Sequence, residues 1–303
     1  MIPGKDMPPT NGSTEAGPDA APMAALLGTA QDGGYPQVGC EARCCRDASS
    51  NKVSALYPSS IAICDPASGS RWIIDCTPAF PSQLSLLDEI FPGKNPGLIL
   101  SHAHVGHYTG LVNLGNEIMG GRCVPVYVLP RMKAFLQSNE PWKELVGNKN
   151  IELRPMSAGE PFELDGGVRI TPRLVPHRDE HSETACFQVD GPTSSLLWLP
   201  DIDSWEELSP DIEDLLGGVD RAFLDGSFFA PGELPDRDMS AIAHPLILDS
   251  VERFSSLGAD VRRKIFFIHL NHTNPAIQPD SEEFQLIEQA GYSVARQGDR
   301  IEL

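Results

Sequence analysis

Ser101-His102-Ala103-His104-Val105-Gly106-His107-Tyr108-Thr109-Gly110 follows the apolar run Gly97-Leu98-Ile99-Leu100, and the junction of these two segments decides the fold. The apolar run reads as a buried strand. If that strand reaches His104, its two-residue period puts His102 and His104 on one face. His107 then falls on the turn beyond, ahead of a helical-looking segment. Three imidazoles at a strand end are poor core material, because each buried ring nitrogen needs a partner. A metal ion supplies partners for several at once. Surface histidines near a loop are the competing explanation.

The chain of 303 residues leaves room for one large α/β domain or two small ones, and its apolar share of 41% is ordinary. A formal net charge of −19 and a pI near 4.7 work against binding a phosphate backbone, so a small-molecule substrate is expected rather than nucleic acid. No apolar run approaches the length of a membrane span, and the first residues lack a basic-then-apolar leader, so a cytoplasmic protein with no membrane partner is expected. Seven cysteines, an odd number, do not form a disulfide framework.

Residues 1–22 are rich in Pro, Gly, Ser, Thr and Asp, and read as a disordered tail ahead of a single domain over 23–303. A first strand near Ala24 enters the loop Gln31-Asp32-Gly33-Gly34-Tyr35-Pro36, whose glycines imply unusual dihedrals or close backbone approach. A plain turn is favoured there over a phosphate cradle, since no Lys-Ser/Thr helix start follows. Cys40, Cys44 and Cys45 then place three thiols within six residues of a loop, enough to share a zinc ion if a fourth ligand comes from elsewhere. The competing reading is reduced, unliganded cysteines.

Downstream, strands and helices alternate, the pattern of α/β layers. Ser60 to Cys64 and Arg71 to Cys76 read as strands, and Asp75 near the end of the second can orient neighbouring histidines through their far nitrogens. Helices are expected over Thr109 to Met119 and Trp205 to Leu216, and a terminal strand pair closes the chain. Other strands run into Pro176-His177-Arg178-Asp179-Glu180-His181, Pro200-Asp201-Ile202-Asp203, Asp225-Gly226-Ser227 and His269-Leu270-Asn271-His272. The eight histidines thus fall at four places along the chain, most of them after buried strands, and convergence on one metal centre is the simplest account.

These residues resemble the metallo-β-lactamase superfamily, marked by His-x-His-x-Asp-His after a strand, then a distant His, an Asp and a last His. More narrowly the chain looks like the pyrroloquinoline quinone biosynthesis protein B branch, through Leu27-Gly28, Gly33-Gly34-Tyr35-Pro36, the adjacent cysteines, Asp225-Gly226-Ser227-Phe228 and His269-Leu270-Asn271-His272-Thr273-Asn274-Pro275. It is also similar to the carbon-phosphorus-lyase-linked cyclic phosphodiesterase. The resemblance implies a four-layer αβ/βα sandwich with the metal site at one edge. It implies that His102, His104 and His177 hold a first metal, that His107 and His269 hold a second, and that Asp201 bridges them. His181 competes with His177. It further implies a structural zinc on Cys40, Cys44, Cys45 and His272, although the cysteine spacing departs from Cys-x-Cys-x-x-Cys.

The main departure is Gly106, which stands where the family's motif has an Asp ligand to the second metal. Either that metal binds weakly, or Asp203 or Asp179 substitutes, or one ion does the chemistry. The leading expectation is a hydrolase of a small phosphoester, ester or lactone with one or two zinc ions, iron or manganese being alternatives. Asp201 bridges or accepts a proton, and His244 or His181 protonates the leaving group. For His244 the bland alternative is a helix-start residue beside Pro245. The rival functions are a mononuclear iron oxygenase and a non-catalytic binding protein that kept the fold.

Overall fold

Successive residues of the buried apolar runs belong to different hydrophobic cores. The structure is a computed structural model that describes residues 21–49, 55–234, 237–239 and 242–303. Among these, β1 (Met23–Gly28), β2 (Ser60–Asp65), β3 (Ser70–Ile74), β4 (Gly97–Ile99), β5 (Val124–Val128) and β6 (Ile151–Pro155) build one sheet. A second sheet contains β7 (Phe162–Glu163), β8 (Arg169–Leu174), β9 (Ala185–Asp190), β10 (Ser195–Leu199), β11 (Arg221–Asp225), β12 (Ile265–Ile268) and β13 (Ser293–Val294). The last strand, β14 (Arg300–Glu302), returns to the first sheet beside β1. The orders are β14-β1-β2-β3-β4-β5-β6 and β13-β12-β11-β10-β9-β8-β7.

Along β10, Leu196 and Trp198 enter the core between the sheets, whereas Leu197 and Leu199 enter the core under the outer helices. Along β2, Ile61 and Ile63 face inward, and Ala62 and Cys64 face the helices of the other side. The period of two therefore feeds two cores at once, which is why these strands read as unbroken apolar runs. Helices Phe80–Ile90 and Pro130–Ser138 cover the first sheet, and Ile247–Arg253 and Glu282–Gln289 cover the second. This is the expected four-layer αβ/βα sandwich.

Several local expectations are corrected. The strand β4 stops at Ile99, so His102 and His104 ride on the loop beyond it rather than on one strand face. Thr109 to Met119 is a 3-10 segment, Thr109–Leu114, followed by turns, and the Trp205 to Leu216 helix is confined to Ile212–Gly217. Pro210 has no N–H to give and cannot sit inside a helix. Cys44 and Cys45 lie on a short helix, Arg43–Ser49, rather than in a loop. The two terminal strands join different sheets instead of each other. The expected tail falls almost wholly outside the described residues, but Pro22 accepts a hydrogen bond from Leu303 N. Among the described residues no helix is long and apolar enough to cross a membrane.

Candidate metal centre

Strands β3, β4 and β5 are parallel, as are β10, β11 and β12, and the loops leaving the C-terminal ends of both sets meet at one edge of the sandwich. The histidine-rich loop after β4 is fastened across that edge. Ala103 N donates to Ser182 Oγ at 2.9 Å, and Ala185 N donates to Ser101 O. After β3, Asp75 is fully buried at φ 67°, a left-handed conformation that a non-glycine residue holds only under tertiary constraint. Its Oδ2 accepts from His107 Nδ1 at 2.8 Å and from Ser101 Oγ at 2.9 Å, which turns His107 Nε2 inward. Asp75 thus stands in the orienting position expected for it.

A first set of groups gathers His102, His104, His177 and Asp201. His177 Nε2 lies 2.9 Å from His104 Nδ1 and 3.2 Å from Asp201 Oδ2, and His102 Nε2 lies 3.5 Å from the same oxygen. A second set gathers Asp32, His107 and His269. Asp32 Oδ1 is 3.3 Å from His107 Nε2 and 3.6 Å from His269 Nε2, while Asp201 Oδ2 is also 3.6 Å from His107 Nε2. One oxygen of Asp201 therefore stands between the two sets.

The residues present fit metal ions. Asp32 Oδ1, His102 Nε2, His107 Nε2, Asp201 Oδ1 and His269 Nε2 are all buried without a hydrogen-bond partner, a costly state for five converging polar atoms. Ligands about 2.0–2.1 Å from a tetrahedral ion stand about 3.3 Å from one another, close to the spacings here. Imidazole with carboxylate suits zinc, iron or manganese. The far nitrogens are committed to orientation: His177 Nδ1 to Asp203 Oδ1 at 2.6 Å, His102 Nδ1 to Ser101 Oγ at 2.9 Å, and His269 Nδ1 to Ser227 Oγ at 2.9 Å.

Asp32 was not among the expected candidates. It, rather than the expected Asp203 or Asp179, is the carboxylate that stands with His107 and His269 beside Gly106. A Cβ on Gly106 would stand 2.2 Å from Asp32 Oδ1, so the Asp32 carboxylate fills the space that a side chain at 106 would need. Asp203 instead binds His177, and Asp179 pairs with Arg131 at the surface. Asp32 reaches the site because the loop after β1 pairs with the loop after β12: Gln31 N donates to Leu270 O, Leu270 N to Thr29 O, and Asn271 Nδ2 to Gln31 Oε1. His269, at φ 65°, directly precedes Leu270.

Electrostatics follow from this crowding. Burial opposes charge on Asp32, but the attraction of the adjacent His107 and His269 outweighs it and holds the carboxyl well below its usual range. Burial likewise opposes charge on His107, yet Asp75 and Asp32 raise its imidazole well above the usual value. His102 goes the other way, pushed down by burial and by the neighbouring histidines.

His244 and His181 part company. His181 is exposed, its ring 5.7 Å from Phe135, and it belongs to neither set; His177 takes the position for which His181 competed. His244 stands against the site, Nδ1 2.7 Å from Asp225 Oδ2 and 3.6 Å from Asp201 Oδ1, and it lines a 470 Å³ cavity. It is not a helix-start residue, since the next helix begins at Ile247. Against the cost of burial, Asp225 and Asp201 raise His244 to about 9. Asp225 also accepts from Ile202 N and Ser227 N, so its carboxylate is used in fixing His244 rather than left free as a ligand.

Cys40, Cys44, Cys45 and His272 form a separate cluster. The sulfurs of Cys44 and Cys45 are 4.0 Å apart and stand 3.9 and 3.4 Å from His272 Nδ1. Zinc–sulfur bonds of about 2.3 Å give tetrahedral sulfur spacings of about 3.8 Å, so this set fits a structural zinc. Burial pushes the Cys45 thiol up to about 12, which a bound cation would reverse.

A profile of the Beta-lactamase superfamily domain matches residues 70–297. The chain belongs to the metallo-β-lactamase superfamily. Its likeness runs to the PQQ synthesis branch: it is 26% identical over 308 residues to coenzyme PQQ synthesis protein B of Gluconacetobacter diazotrophicus, covering 91% of this chain and 98% of that one. The Pseudomonas aeruginosa counterpart is 27% identical over 313 residues, covering 92% and 99%. Among solved structures, Zn(2+)-bound PqqB from Methylobacterium extorquens superposes with a TM-score of 0.78 at 20% identity, covering 93% of this chain and 100% of that one. A diphosphatase from the PhnP family superposes at 0.68 with 23% identity, covering 93% and 97%.

Replacing Asp203, whose side chain is partly exposed, tests the orienting role without disturbing the core. Asp203→Ala is expected to weaken metal binding at the first set by about 10–100-fold, and Asp203→Asn by less. Chelator competition measures it, and an unchanged affinity would show that His177 needs no such support.

Proposed function

We propose that the protein is a metal-dependent hydrolase of a small phosphoester, ester or lactone, with phosphoesters foremost. The observation that carries this is the pair of ligand sets meeting at Asp201, with five buried polar atoms left without hydrogen bonds. The ions such sets would hold supply Lewis-acid activation of water and of the scissile bond at neutral pH. Asp201 carries negative charge between the sets and is placed to take a proton. His244, fixed by Asp225 and lining the cavity, is placed to give a proton to the leaving group. Ser101, Asp75, Asp203 and Ser227 hold the ligating rings in position.

The likeness to a diphosphatase supports a phosphoester, and the net charge of −19 favours a small substrate over nucleic acid. The cysteines of the described residues are all free, which supports a reducing, cytoplasmic setting. The likeness to PQQ synthesis proteins keeps a mononuclear iron oxygenase as the second reading, but a complete second ligand set weighs against one ion. Intact ligand positions weigh against a binding protein without catalysis.

Chelation followed by re-addition of zinc, iron or manganese, assayed on aryl phosphodiesters, esters and lactones, tests the proposal. Hydrolysis that disappears and returns with the metal is expected. Metal-loaded protein that hydrolyses none of them, or hydrolysis that survives complete chelation, would overturn it.

A further inference from the structure

We infer that the cavity beside the metal centre is an anion subsite, built for a substrate that carries a second negative group remote from the reacting bond. The inference rests on the hydrolase reading for the identity of that bond, and on the cavity wall for the rest. Arg178 and Arg237 both line the 470 Å³ cavity, together with His244 and Asp32 of the metal centre. Neither guanidinium makes a hydrogen bond or an ion pair with any described residue. In a chain with 42 acidic against 23 basic residues, carboxylate partners are abundant, and other arginines take them: Arg71 pairs with Asp88, Arg131 with Asp179 and Arg253 with Glu213. Glu180 lies near enough to feel the charge of Arg178 but forms no ion pair with it.

The remaining wall agrees with this ligand class. Among the described residues Asp32 is the one acidic residue lining the cavity, and its carboxylate is turned into the metal centre. Gln31 and Asn271 bring amides, and Phe228 and Ile242 bring apolar surface against which a short carbon skeleton can lie. Two planar guanidinium forks are the donors best matched to carboxylate or phosphate oxygens. The substrate thus has one end at the metal centre, a short apolar link, and a carboxylate or phosphate at the arginine end.

Binding of non-hydrolysable ligands tests this without requiring turnover. Zinc-loaded full-length protein is titrated calorimetrically with 3-phosphonopropionate, 1,3-propanediphosphonate and propylphosphonate, which share a phosphonate but differ at the far end. The doubly charged ligands are expected to bind about tenfold or more tightly than propylphosphonate, as charge-assisted hydrogen bonds allow. Comparing the two doubly charged ligands shows whether carboxylate or phosphate is preferred. In the Arg178→Gln/Arg237→Gln double variant the preference is expected to collapse to within about twofold, with propylphosphonate binding nearly unchanged. Both side chains are exposed, and a matching melting curve verifies folding.

Equal affinity for all three ligands in the wild type, or a preference that survives in the double variant, would overturn the subsite. Hydrolysis of the same panel of aryl phosphodiesters, esters and lactones, assayed on the same preparations, separates the two proposals. Anion preference without hydrolysis sinks the hydrolase reading and keeps the subsite, whereas hydrolysis without preference does the reverse.

Discussion

Asp32→Ala is expected to lose one metal equivalent from the active site and to lower hydrolysis by more than about 100-fold, since even groups one contact removed from a metal cost about 10–100-fold. The expectation rests on the reciprocal geometry of Asp32 and Gly106. The carboxylate that the superfamily motif carries beside its third histidine is supplied here from a loop more than seventy positions earlier in the chain. A side chain at 106 would collide with the carboxylate that replaces it. Gly106→Asp alone is therefore expected to destabilise the protein rather than strengthen the second set. The informative variant is Asp32→Gly combined with Gly106→Asp, which returns the carboxylate to the motif. The Cα of Asp32 would still lie 2.7 Å from the new Cβ, so the loop must give slightly, and recovery is expected to be partial. Metal content and chelator competition place the double variant above either single one in affinity for the second ion, a non-additivity expected for residues in contact. If Asp32→Ala keeps both equivalents and their affinity, Asp32 is not a ligand of the second ion.

The contrast between Gly106 and Asp32 also shows where sequence reading reaches its limit. Histidines that follow buried strands are legible because a buried strand is apolar on both faces and its end is marked by the first polar residue. Asp201, Asp225 and His269 stand out for that reason, and so does the layer architecture. Asp32 follows β1 in the same manner, and the glycines beside it signal close backbone approach, so a hint was present. Its role nevertheless depends on Gln31 pairing with Leu270, a contact across some 240 positions that local pattern does not encode. The position of Asp203 behind His177 and the exposure of His181 were hidden in the same way. Both histidines lie on one loop, and the segment after β10 fixes His177 inward: Asp203 N donates to Pro176 O, and Asp203 Oδ1 stands 2.6 Å from His177 Nδ1. The shortened helix at Ile212–Gly217 was legible in principle from Pro210, but the apolar pattern of Trp205 and Leu208 outweighed it; both residues are buried without being helical.

Cys45→Ser is expected to release the structural zinc, lower the melting temperature, and weaken the second ion of the active site, although Cys45 belongs to neither ligand set. The zinc would join the helix Arg43–Ser49 to His272, closing a loop of more than 200 residues. Treated as a cross-link, such a closure contributes on the order of 5 kcal/mol, and its loss lowers the midpoint by roughly 5–10 °C in a chain of this size. The effect on the active site follows from the path of the chain. The segment that carries Cys40 and Cys45 begins just after Asp32, and His272 follows His269 by three residues, so the zinc would pin both loops that build the second set. Tyr35 reinforces this by donating to Cys44 O at 2.8 Å, and Gln37 N donates to Cys45 Sγ at 3.3 Å. In Cys45→Ser those loops lose their common anchor, and Asp32 and His269 must be ordered by the active-site ion itself. Its affinity falls by that ordering cost. The first set, its rings held by Ser101 and Asp203, lies outside this linkage and is expected to keep its affinity. Zinc content, melting temperature and chelator competition at each set give three separate readings. A variant that melts lower but binds both active-site ions as the wild type does would confine the cysteine cluster to stability, and unchanged zinc content would remove it as a metal site altogether.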